Sequence, residues 1–134
     1  MIHVGIDLHS RNMTLVAIND NGKVLAEDKR ANSPANLSLF FQQFNEPVQA
    51  VVECTSYWYW VSDWCTAHQV RLTLAHAKML KAISYAKVKT DSVDARTLAE
   101  LLRVGLIPQA HQCQREQREL RELTRGRLRM IERR

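Results

Sequence analysis

Three cysteines in 134 residues, Cys54, Cys65 and Cys113, are odd in number and lack metal-ligand spacing, which excludes a disulfide framework and a zinc site. They read as reduced thiols. Glycine is equally scarce, at four residues. No glycine-rich phosphate turn follows the first strand pattern, where the chain carries His9-Ser10-Arg11 instead. No apolar stretch is long enough for a membrane span, and the chain opens on a strand pattern without a signal peptide, so a cytoplasmic protein with no membrane partner is expected. The five histidines, His3, His9, His68, His76 and His111, are scattered. A lone histidine is more often structural than a ligand. His9 follows Asp7 closely enough to touch a substrate but is given no catalytic role.

A chain of this length, 46% hydrophobic, can bury the core of one domain. The formal charge of +5 is unevenly spread: residues 1–110 carry 11 basic and 10 acidic residues, and residues 111–134 carry 8 and 4. Net basicity favours a polyanionic partner.

The acidic residues are placed less usually. From Thr90 onward the pattern is helical, and Asp91, Asp94, Ala95, Leu98, Leu101 and Leu102 share one stripe at three- and four-residue steps. Two carboxylates thus extend an apolar face, where they need a cation, a hydrogen-bond network or a raised pKa. The competing reading makes Thr90 an N-cap and the two acids favourable neighbours of the helix N-terminus. Elsewhere, Ile2, Val4, Ile6 and Leu8 alternate as a buried strand with Asp7 at its end on the opposite face, and a second run, Val48 to Val52, finishes in Glu53. Ligands of open α/β sheets bind beyond the carboxyl ends of the strands, so four acids from three elements are expected to meet there. An all-oxygen set suits magnesium or manganese. Two such ions roughly 4 Å apart serve phosphodiester chemistry by activating the attacking oxygen and stabilising the leaving one.

The order of elements frames these acids. Met13 to Ile18 and Lys23 to Ala31 read as strands joined by an Asp20-Asn21-Gly22 turn. Ser33-Pro34 opens a helix with Leu37, Phe40, Phe41 and Phe44 inward, leading to the Glu53 strand. A helix from about Tyr57 to His68, a strand Val70 to Ala75 and the aspartate helix follow. This β-β-β-α-β-α-β-α order predicts an α/β fold: a mixed five-stranded sheet with helices on both faces.

That order, with Asp7 on the first strand, Glu53 ending the fourth and Asp91 and Asp94 on a later helix, resembles the ribonuclease H-like superfamily in its RuvC-like, four-carboxylate form. More narrowly, Gly5-Ile6-Asp7-Leu8-His9-Ser10, Val52-Glu53-Cys54-Thr55 with Tyr57-Trp58, and Lys89-Thr90-Asp91-Ser92-Val93-Asp94-Ala95 look like the N-terminal domain of the DEDD-type insertion-sequence transposases. That family includes the pilin-gene invertases and the bridge-RNA-guided recombinases. The resemblance covers about residues 1–106. It implies that Asp7, Glu53, Asp91 and Asp94 are both the catalytic and the metal-binding acids, with Mg2+ or Mn2+ as cofactor, DNA as partner and a guide RNA as a further one. Family members also carry a C-terminal domain with a catalytic serine, joined through a coiled coil. None of that domain is present, so the chain is expected to be a fragment: residues 1–110 the RuvC-like catalytic domain, residues 111–134 the start of a connecting helix.

Other classes compete. An actin-like ATPase or sugar kinase needs the glycine-rich turn and a second lobe. A Holliday-junction resolvase-like endonuclease would share the acids, and a non-catalytic nucleic-acid-binding module would share only the fold.

Three further segments carry expectations. Lys78, Lys81, Lys87 and Lys89 precede Asp91 with no acid among them, and with Arg96 they suit a track for nucleic-acid phosphates; the plainer reading is a solvated face. Five of the nine aromatics, Tyr57, Trp58, Tyr59, Trp60 and Trp64, crowd one helix. Trp60 and Trp64 are expected to pack inward, leaving Tyr57, Trp58 or Tyr59 for bases or another domain. The charged tail from Gln114 suits a long exposed helix that pairs with another, giving a homo-oligomer.

Overall fold

The computed structural model describes residues 1–54, 58–76 and 91–110, with the side chains of residues 91–94 excepted. Five strands, β1 (Ile2–Leu8), β2 (Asn12–Ile18), β3 (Val24–Ala31), β4 (Val48–Glu53) and β5 (Arg71–Ala75), form one sheet in the order β3-β2-β1-β4-β5. β1 pairs antiparallel with β2 and parallel with β4; β2–β3 is antiparallel and β4–β5 parallel. The helices are α1 (Pro34–Phe41), α2 (Tyr59–Ala67) and α3 (Asp91–Val104). The mixed five-stranded sheet is as the alternation of elements predicts.

Local chemistry accounts for the boundaries. In the β2–β3 turn, Asn19 Oδ1 accepts from the backbone N–H groups of Asn21 and Lys23, and Gly22 supplies a φ of 82° that side chains rarely adopt. Ser33 caps α1 by accepting from Asn36 N–H at 3.1 Å, ahead of Pro34 in the first turn. α2 starts two residues later than expected, at Tyr59, and Phe44 packs against the core from beyond the end of α1.

The sheet has two different faces. Ile2, Val4, Ile6 and Leu8 of β1 point into the larger core with Leu37, Phe40 and Phe41 of α1 and Val61, Trp64 and Cys65 of α2. Trp64 joins these helices: its indole N–H donates to Ser38 Oγ at 3.0 Å and its ring lies 4.9 Å from that of Phe41. On the other face, Val16, Ile18 and Val51 meet Ala95, Leu98, Ala99 and Leu102 of α3. Ala95, Leu98, Leu101 and Leu102 of the stripe read from the sequence therefore lie on the packing face of α3, with Ala99 added.

Gly5 lets α3 come close. A methyl group there would overlap the Ala95 carbonyl oxygen and lie 2.8 Å from the Ala99 nitrogen. Small residues face each other from both sides: glycine on the strand, alanine on the helix. No described helix is long and apolar enough to cross a membrane.

Candidate functional site

From β1 the chain builds outward through β2 and β3 on one side, then returns to add β4 and β5 on the other. Strand order thus reverses between β1 and β4, and the crevice beyond their carboxyl ends is where sheets of this kind take ligands. Asp7 and Glu53 stand at that crevice. The register pairs Gly5 with Val51 and ends at Ile6 with Val52; Asp7 and Glu53 are the next residue of each strand, and Glu53 pairs on its other side with Ala75 of β5. Alternation turns both toward the α3 face, opposite the Ile6 and Val52 side chains of the larger core.

Asp7 is 5% exposed, and its Oδ2 accepts a hydrogen bond from His9 Nε2 at 3.1 Å. Glu53 is half-buried. His9, on the loop after β1, has a 45% exposed side chain. Among the described residues no group of three or more His, Cys, Asp or Glu side chains is gathered tightly enough to hold a metal ion.

The direction of α3 brings its first turn to the same end of the sheet. Near its C-terminus, Arg103 Nη1 donates to the Asp20 carbonyl at 3.4 Å, beside the β2–β3 turn and the start of β1. At its middle, Ala95 and Ala99 lie against Gly5. The helix therefore runs antiparallel to β1. From Gly5 to Asp7 is about 6.6 Å along a strand, and from Ala95 back to Asp91 is about 6 Å along a helix. The backbone of Asp91 and Asp94 thus approaches the carboxyl end of β1, where Asp7 and Glu53 lie; the side chains of the pair lie outside those described.

A family model for transposases, of the DEDD type represented by IS110, matches residues 4–134. The chain belongs to that family. Among solved structures, this transposase is similar to Thermus thermophilus RuvC, with 16% identity, a TM-score of 0.55, and coverage of 82% of this chain and 100% of that one. T. thermophilus RuvC in complex with a Holliday junction substrate matches with the same identity and TM-score, over 82% of this chain and 99% of that one. The likeness establishes a RuvC-like fold for the transposase sheet and its helices. No curated protein matches the sequence.

Of the basic residues expected to follow a phosphate backbone, Arg96 lies exposed on α3, just past Asp94, and Lys78, Lys81, Lys87 and Lys89 lie outside the described residues. So do residues 111–134, on which the connecting helix was expected. The aromatic cluster departs from expectation. Trp58 is buried in the larger core with Trp64, whereas Trp60 is only half-buried. Trp58, the N-cap with αR backbone, continues the buried stripe of Val61, Ser62 and Cys65 at three- and four-residue steps, whereas Trp60 lies off that stripe and packs only partly against the core. Trp58 is thus unavailable for stacking on bases, Tyr59 is half-buried, and Tyr57 lies outside the described residues.

Two residues at this end of the sheet escape sequence reasoning. Arg11 is exposed on the loop after β1, at the acid end of the sheet. Thr14 pairs directly with Asp7 across β1 and β2 and is 3% exposed, yet its hydroxyl has no hydrogen-bond partner among the described residues. A buried hydroxyl left so costs about 1–3 kcal/mol. The only sequence signal is a polar residue interrupting the apolar run of β2. Its position opposite Asp7 depends on the register of the hairpin.

Proposed function

We propose that this transposase chain is a metal-dependent catalytic domain that acts on DNA phosphodiester bonds during insertion-sequence transposition, with Asp7, Glu53, Asp91 and Asp94 as its metal-binding acids. The observation that carries this reading is the position of Asp7 and Glu53, each one residue past the last pair (Ile6 with Val52) of adjacent parallel strands, at the reversal of strand order, in a member of a transposase family. The Holliday junction in the RuvC complex adds support for DNA as the substrate class.

The donor set fits magnesium or manganese, being hard carboxylate oxygen with no thiolate, and the unpartnered Thr14 hydroxyl beside Asp7 marks a polar site that has yet to gain a partner. Bound there, a divalent ion supplies charge stabilisation to a reacting phosphoryl group. The chain's own residues do the rest. The rigid ends of β1 and β4 hold two carboxylates side by side without the entropy cost of ordering a loop. α3 carries the other two acids toward them and sets Arg96 outside them, where its guanidinium can take a phosphate oxygen. Lys78, Lys81, Lys87 and Lys89 extend that basic path, Arg11 borders it from the β1–β2 loop, and His9 steadies Asp7. Residues 1–110 form the catalytic domain and residues 111–134 begin a helix that pairs protomers; strand joining uses a serine from a C-terminal domain and a guide RNA. The same acids in a resolvase-like endonuclease would cut without that serine.

The test is thermal unfolding of the 134-residue chain in increasing Mg2+ or Mn2+. Metal that binds only the folded state should add about 2.7 kcal/mol at roughly a hundredfold excess over its dissociation constant. Asp94→Asn should abolish the response and leave the metal-free protein equally stable or more so, through relief of like-charge repulsion. An unchanged metal response in Asp94→Asn would remove the assignment.

A further inference from the structure

Thr14 stands where a packing residue would do, and its hydroxyl has no packing purpose. Its neighbours on the same strand face, Val16 and Ile18, are apolar and lie beneath Ala95 and Ala99 of α3. Thr14 continues that row toward the acid end and directly faces Asp7 across the β1–β2 ladder. Side chains of directly opposed residues project to the same face, with Cβ atoms about 4.5–5.5 Å apart, so a modest rotation about the side-chain bonds brings hydroxyl and carboxylate into hydrogen-bond contact. Asp7 Oδ2 accepts from His9 Nε2 at 3.1 Å, and the Thr14 Oγ1 atom is fully buried without a partner among the described residues.

Valine has almost the same shape as threonine and would fill this position without a polar atom to satisfy. A threonine placed beside a buried acid points to a state in which that acid takes a further donor. Metal binding is such a state: a carboxylate that turns one oxygen to a cation is held by hydrogen bonds to its other oxygen, and these outer partners set affinity by fixing its orientation. We infer that Thr14 is a positioning residue of the acid site, whose hydroxyl donates to Asp7 when Asp7 takes a divalent cation. This rests on the metal-binding reading of Asp7 given above. Thr14 touches neither substrate nor reacting atoms; it acts through Asp7.

The experiment is calorimetric titration of the full 134-residue chain with MnCl2, alongside thermal melts without metal, for the parent, Thr14→Val, Thr14→Ser and Asp7→Asn. Thr14→Val should melt at the same temperature or higher without metal, because it removes an unsatisfied hydroxyl, yet bind Mn2+ about tenfold more weakly. Thr14→Ser restores the hydroxyl and should return to within about threefold of the parent affinity. Parent-like Mn2+ affinity in Thr14→Val, with binding lost in Asp7→Asn, would overturn the role of Thr14 and leave the acid site standing. Parent-like affinity in both would overturn the acid site itself. A Thr14→Val protein that melts lower without metal, with Thr14→Ser failing to recover affinity, would assign the residue to the fold and likewise overturn the proposal.

Discussion

Asp20 lies in the turn after β2, yet it gathers three parts of the chain. The buried His3 ring takes an N–H from the Gln49 amide at Nδ1 and donates from Nε2 to Asp20 Oδ1, both at 2.8 Å, while the N-terminal ammonium reaches Asp20 Oδ2 at 3.0 Å. The hydrogen bond from His3, then that from the N-terminus, hold the Asp20 carboxyl below its ordinary value. A carboxyl lowered in the folded state adds stability above its unfolded pKa, and that contribution is lost as pH falls through the folded one. Asp20→Asn is therefore expected to destabilise the protein at neutral pH, with the difference from the parent shrinking as pH falls below about 4 and vanishing only once pH is below the lowered folded value. Denaturant melts between pH 7 and pH 2 measure this; a difference that persists unchanged in acid would mean the amide disturbs packing instead. Burial has a simpler effect on Cys65, whose thiol is pushed up to about 12 and packs as a small apolar side chain.

At the scale of elements, the position of α3 depends on a contact too close for any side chain but hydrogen. Because a Cβ on Gly5 meets backbone atoms of Ala95 and Ala99 and no flexible side-chain end, the helix has to move as a unit to admit it. Gly5→Ala should cost about 3 kcal/mol by overpacking and also move the first turn of α3 away from β1. The two effects separate experimentally: equilibrium unfolding reads the stability, and the Mg2+ response of the surviving folded protein reads the displaced acids. The wild-type metal response in a destabilised Gly5→Ala protein would show that α3 carries no part of the site. The apolar stripe of α3 was legible in the sequence because helical periodicity is local. The role of Gly5 was not, since the partner that makes glycine necessary arrives some ninety residues later. The aromatic helix was read less well because five adjacent aromatics offer more than one buried stripe, and only the packing of α2 on the sheet chose the one through Trp58, Val61 and Cys65.

At the scale of the molecule, two exposed arginines among the described residues, Arg11 and Arg96, lie toward the acid end of the sheet, and the lysines before α3 precede the acid pair in sequence. Replacing Lys87 and Lys89 by alanine is expected to weaken DNA binding about equally for all sequences, and to flatten the log–log salt dependence on duplex DNA by roughly one unit per lost phosphate contact. Fluorescence anisotropy across a salt series checks both. A sequence-selective loss would make these lysines readers of bases, and no loss would return them to a solvated surface.

The sequence by itself determined the strands, the helices and their order, because alternation, helical periodicity, the Ser33 cap and the Asn19–Gly22 turn are local patterns that act within a few residues. It also marked Asp7 and Glu53 as strand-end acids, since each breaks an apolar run. Only the tertiary structure decided that β4 adds beside β1, which brings those two acids to the same end of adjacent strands, that α3 runs back along β1 to bring its first turn to that end, and that Thr14 faces Asp7. Each of these rests on register and on contacts between segments far apart in the chain, whose free energy comes from burying two surfaces together and is written in neither segment alone.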